Sequence, residues 1–151
     1  MQGRIARVCT SFIDVPGKIA VAIYFAGCSI RCADCQNKDL WDFSSGKKVG
    51  VDYVVASVEK HPLAEYAVFL GGEPTDQPIF LGQVCAAIKD KKKALYTGRE
   101  FEDIPDTILD FINLVICGPY RSELHIGGWP ASSNQRVFRK EHDRWIYQNT
   151  H

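Results

Sequence analysis

No stretch of this sequence approaches the roughly 20 consecutive apolar residues that a membrane-spanning helix needs. The opening MQGRIARVCTSFIDVPGK holds no apolar run of signal-peptide length. These absences predict a cytoplasmic protein with no membrane partner. Net charge is missing too. Lys+Arg and Asp+Glu both number 18, so no overall field draws the chain to nucleic acid. The lysine-rich KDKKK at 89–93 reads as a solvated helix end before a strand. Low-complexity tracts, internal repeats and Pro/Ser-rich linkers are also absent. With 151 residues, the chain is expected to form a single domain over 1–151 around one core.

What is present is an ordinary globular balance, 46% apolar and 24% charged. Apolar strands alternate with helical patterns. IAVAIYFAG (19–27), YAVFLGG (66–72), KALYTG (93–98) and NLVICG (113–118) are β-branched or aromatic runs that end on glycine. Between them, VDYVVASVEKH (51–61) sets Val51, Val54, Val55 and Val58 on one helical face. QPIFLGQVCAAIKD (77–90) repeats the pattern, and FEDIPDTILDFI (101–112) predicts a shorter helix. QRVFRK and RWIYQ suit a hairpin across EHD. Such alternation predicts an α/β fold with a mostly parallel sheet. Its strand C-termini, marked by Gly27, Gly71–Gly72, Gly98 and Gly118, then share one edge, where ligands collect in such folds.

Six cysteines in a reducing compartment are more often metal ligands or buried thiols than disulfides. Three of them, Cys28, Cys32 and Cys35, crowd into CSIRCADC directly after the first of these strands. Cys9, Cys85 and Cys117 stand alone. Structural zinc prefers paired C-x2-C units, and no second pair exists here. Chance clustering, zinc with a distant fourth ligand, and an iron–sulfur cluster with three protein ligands and one open iron all remain. His61, His125, His142 and His151 have no ligand-like spacing.

CSIRCADC matches the C-x3-C-x2-C signature of radical S-adenosylmethionine (SAM) enzymes. Its flanks, DVPGKIAVAIYFAGCSIRCADCQNKDLWDF (14–43), resemble the opening of the glycyl-radical activating enzymes. LGGEP (70–74) and YTG (96–98) are similar to further motifs of that group. SSNQR (132–136) resembles a segment of the activating proteins of anaerobic ribonucleotide reductases. The resemblance implies an incomplete, partial β/α barrel, since a complete eight-unit barrel takes about 250 residues. It implies one 4Fe–4S cluster on Cys28, Cys32 and Cys35, with the open iron chelated by SAM. Backbone at Asp34, Cys35 and Gln36, together with Gly71, Gly72, Glu73 and Thr97, is then expected to contact SAM, with Glu73 accepting from its ammonium. Asn37 would tie the loop down, and Trp41 would serve the loop or the core. No catalytic residue is expected beyond the cluster ligands. The implied act is reductive cleavage of SAM and formation of a glycyl radical on an anaerobic ribonucleotide reductase catalytic subunit. A one-electron reductant such as flavodoxin or ferredoxin would feed it. A small-molecule radical SAM enzyme of the 7-carboxy-7-deazaguanine synthase kind is the alternative within the class. A non-catalytic Fe–S or zinc binding module is the alternative outside it.

Overall fold

The computed structural model describes residues 1–30, 40 and 42–148. Asp34, Asn37 and Trp41, with Cys32, Cys35 and Gln36, lie outside them. Eight strands and three α-helices are present among the described residues. The parallel centre is β2 (Ala20–Phe25), β4 (Tyr66–Gly71), β5 (Lys92–Thr97) and β6 (Leu114–Cys117). Antiparallel strands extend it at both sides. These are β1 (Gln2–Ser11) and β3 (Lys47–Gly50) on one flank, and β7 (Arg136–Glu141) and β8 (Arg144–Gln148) on the other. The order β3-β1-β2-β4-β5-β6-β7-β8 is linear, so the sheet is a partial barrel that does not close.

Alternation along each central strand divides the core in two. Val21, Ile23 and Phe25, with Ala67, Phe69 and Leu95, pack under the helices α1 (Val51–Glu59), α2 (Pro78–Ala87) and α3 (Asp106–Leu109). The opposite face carries Ala20, Ala22, Val68, Leu70, Ala94 and Ile116, and no helix contributes to it among the described residues. All three crossovers thus lie on one side, which is the barrel arrangement and not the doubly wound one.

The expected strands and helices appear within a few residues of their predicted ends, with instructive differences. The 101–112 segment is interrupted at Pro105, which has no amide hydrogen to donate. A 3₁₀ turn (Phe101–Asp103) and the single turn α3 result. In α2, Ile79 faces outward at 63% exposure, while Leu81 and Cys85 take the core positions. KDKKK is not simply a solvated end. Lys91 and Lys93 are buried, and Lys91 Nζ donates to the carbonyls of His61 (2.9 Å) and Ala64 (2.7 Å).

Candidate active site

A cavity of about 450 Å³ opens where the parallel strands end. Its walls include Tyr24, Cys28, Leu70 to Glu73, Tyr96 to Gly98, Gly118 and Gln135. The glycine-marked ends of β4, β5 and β6 therefore do ring a pocket. The volume lies within the range of small-molecule sites, about 300–1,000 Å³.

Gly71 and Gly72 are needed for packing between strand ends. Gly71 has φ +112, and a Cβ there would lie 2.6 Å from the Phe25 carbonyl oxygen. A Cβ on Gly72 would lie 2.2 Å from the Gly27 oxygen. In the absence of side chains, the backbones interlock. The Gly72 amide donates to Phe25 O (2.8 Å) and the Glu73 amide to Gly27 O (2.7 Å).

Glu73 follows at once and is 1% exposed. Its Oε2 accepts from the Thr97 hydroxyl (2.7 Å), the Thr75 hydroxyl (2.6 Å) and the Thr75 amide (3.1 Å). Its Oε1 accepts from the Gly98 amide at 2.8 Å. Burial pushes the carboxyl up from its ordinary value, although these hydrogen bonds pull the other way. Glu73 therefore lines the cavity as a brace between β4 and β5. Its carboxylate already holds four protein donors. Thr97 is likewise engaged, donating to Glu73 and accepting from the Arg99 amide (3.1 Å).

Cys28 is buried in the cavity wall at the end of β2. The loop that it opens returns to its origin, since the Gly27 amide donates to Leu40 O at 2.6 Å. Cys32 and Cys35 fall on that loop, outside the described residues, as do Asp34 and Gln36. Cys9, Cys85 and Cys117 are not drawn into a common site, because no group of three potential ligands gathers among the described residues. Burial pushes the Cys85 thiol up to about 12 and the Cys117 thiol to about 11, so both are protonated hydrophobes. A closed loop neck, a buried cysteine at the pocket wall and two side-chain-free residues facing it fit a compact cluster with a small ligand beside it.

The opposite wall is aromatic. Trp129 Nε1 donates to the Tyr96 hydroxyl (2.7 Å), which donates in turn to the Asp14 carbonyl (2.5 Å). SSNQR folds inward as a turn on this rim. Ser132 is fully buried and its amide donates to Gln135 Oε1 (3.1 Å), while Asn134 Nδ2 donates to Pro119 O (2.8 Å). Arg136 pairs with Glu100 (2.9 Å) and Glu102 (2.6 Å). Reading by motif takes in Tyr96 only as part of YTG, with no role, and misses Trp129, Asp76 and Arg99. An aspartate two residues past Pro74 and an arginine one past Gly98 are the signal that was available.

The chain superposes on QueE from Escherichia coli with a TM-score of 0.58 over 75% of this chain and 68% of that one, at 16% identity, a likeness of fold. It belongs to the 4Fe-4S single cluster domain family, which matches residues 14–138, and with it to the radical SAM enzymes. A 4Fe–4S cluster and SAM are the cofactors of that class. Over 144 residues, 89% of this chain and 92% of its relative, it is 26% identical to the anaerobic ribonucleoside-triphosphate reductase-activating protein of Enterobacteria phage T4. It is 41% identical over 58 residues to the 7-carboxy-7-deazaguanine synthase of Pyrobaculum aerophilum, a match covering 38% of this chain and 26% of that protein. With the pyruvate formate-lyase-activating enzyme of Clostridium pasteurianum it shares 29% identity over 97 residues, 60% of this chain and 40% of that one.

Proposed function

We propose that this protein generates a glycyl radical on an anaerobic ribonucleoside-triphosphate reductase. The observation that carries the reading is the end-to-end match to the phage T4 activating protein, which alone among these three relatives is covered over nearly its whole length (92%). Cys28, Cys32 and Cys35 would hold the cluster. When bound, the cluster and SAM together supply one electron and a carbon radical able to take hydrogen from a glycine Cα. The chain's own part is placement and exclusion of water. Gly71 and Gly72 leave backbone on the cavity wall, where a chelating amino acid end can lie close. Glu73 holds the ends of β4 and β5 at a set spacing, and it lines the cavity wall beside Gly72. The sheet does not close, so the pocket is reached from outside by a polypeptide loop. Phe12 and Ile13 stand at the β1–β2 turn, 68% and 80% exposed, and Ile13 also lines the cavity.

The test is direct. The protein, reconstituted anaerobically with iron and sulfide, is mixed with SAM, a one-electron reductant and the reductase subunit from the same source. An electron paramagnetic resonance (EPR) doublet is expected on the large partner, lost when its target glycine is replaced by alanine. The second reading, a deazaguanine synthase, draws on the 41% identical segment. A silent reductase with deazaguanine product formed would establish it instead. A protein holding stoichiometric zinc and refusing iron would sink both.

A further inference from the structure

Asp76 and Arg99 lie outside every motif of the sequence, yet their side chains bridge the cysteine loop to the cavity wall. Asp76 is 8% exposed in its side chain. Its Oδ2 accepts the backbone amide of Ser29 (2.7 Å), and its Oδ1 accepts the Ser29 hydroxyl (2.9 Å). Ser29 is the residue directly after Cys28. Oδ1 also takes Arg99 Nη2, and Arg99 Nε donates to the Thr75 hydroxyl at 2.8 Å. That hydroxyl donates to Glu73, which holds Thr97 and Gly98. An unbroken run of hydrogen bonds thus leads from the peptide after Cys28 to the ends of β4 and β5.

We infer that Asp76 and Arg99 are positioning residues that set the first cysteine of the loop at a fixed height against the Glu73 brace. The inference rests on the proposal that Cys28 is a cluster ligand. Three features carry it. The carboxylate is nearly buried, so its charge requires the arginine beside it. The bonds are charge-assisted, hence short and directional. One arginine reaches its two targets through separate nitrogens of a rigid planar fork, Nε to Thr75 and Nη2 to Asp76, a fixed spacing that the single nitrogen of a lysine does not provide. A carboxylate placed merely to cap the turn at Pro74–Asp76 has no need to reach a residue 47 positions away in sequence.

The experiment uses the full chain reconstituted with iron and sulfide. Asp76→Ala, Asp76→Asn, Arg99→Lys and Ser29→Ala are compared with the unaltered protein. Three quantities are read: the thermal midpoint, the rate of iron loss to bipyridyl, and the change in the reduced-cluster EPR spectrum on adding SAM. Asp76→Ala is expected to lose iron at least tenfold faster and to show a weakened or broadened SAM-dependent change. Asp76→Asn keeps an acceptor for Ser29 and is expected to fall between it and the native protein, as is Arg99→Lys. Ser29→Ala removes from an exposed residue the hydroxyl that donates to Asp76 (2.9 Å) and accepts from Arg99 Nη2 (3.4 Å), and leaves the backbone bond to Asp76 in place. It is expected to speed iron loss about two- to threefold without moving the midpoint. Native rates and native spectra in Ser29→Ala together with either folded Asp76 variant would overturn the inference, and so would rates that simply follow the midpoint. A chain that takes up no iron defeats the proposed function; one that takes it up and releases it independently of Asp76 defeats only this inference.

Discussion

At the scale of single residues the site is a matter of acceptors and missing side chains. Glu73→Ala leaves four donors behind, two of them amides that cannot turn away. The expected loss is about 3 kcal/mol, read from urea unfolding. Its pH dependence has a definite sign. Burial raises the native pKa above the ordinary 4.5. The carboxyl's stabilisation is therefore fully present below that value and is lost as pH rises through the raised native one. The gap between native protein and Glu73→Ala should be widest in acid and narrow as pH rises through the raised native value; a gap that grows with pH would show the carboxyl to be charged throughout. Gly72→Ala drives a methyl into the Gly27 peptide, backbone that cannot step aside. A loss of about 3 kcal/mol is expected, together with faster iron release, because the displaced peptide belongs to the loop neck. Gly71–Gly72 and Glu73 were legible because they stand in a recognisable run. Asp76 and Arg99 were not. Their partnership exists only once β4 and β5 are neighbours and their C-termini share an edge.

At the scale of elements, the central strands declared themselves through continuous apolar runs. The flanking strands did not. β1 carries Arg4, Arg7 and Thr10 among its apolar residues, because an antiparallel strand beside a short edge strand is only partly covered. β3 is four residues long, two of them exposed lysines. Neither offers enough period to be read. The terminal hairpin was legible from its polar turn, and the structure shows how that turn is made. His142 and Asp143 both sit at positive φ, 50 and 63. Side chains with a Cβ are disfavoured there, and Asn-Gly is the preferred pair. Replacing His142-Asp143 by Asn-Gly should stabilise the protein by about 1 kcal/mol in chemical denaturation. Lys91→Met should do the reverse. It removes the ammonium from which the Ala64 carbonyl accepts and one of the two donors to the His61 carbonyl, which keeps the Ala64 amide, and a loss of about 2 kcal/mol is expected in the same measurement.

At the scale of the whole molecule, zero net charge and an open sheet define how a partner can arrive. Two of the four lysines in KDKKK are buried, so that patch offers little to an acidic surface. Association with the proposed reductase partner should vary only modestly between low and physiological salt, measured by stopped-flow or surface binding. Phe12 and Ile13 are exposed together at the β1–β2 turn, and Ile13 lines the cavity. Replacing both by aspartate should weaken partner binding while SAM cleavage without partner persists. Equal loss of both activities would place them within the SAM site and not on the docking rim.

The hydrogen bond from Gly27 to Leu40 has a bearing on upkeep. The two ends of the cysteine loop meet at Gly27 and Leu40, and the two apolar clusters of the core are built without it among the described residues. Oxygen that strips the iron would then remove a fitting and leave the frame standing. The emptied protein should keep a cooperative unfolding transition and accept fresh iron and sulfide without refolding.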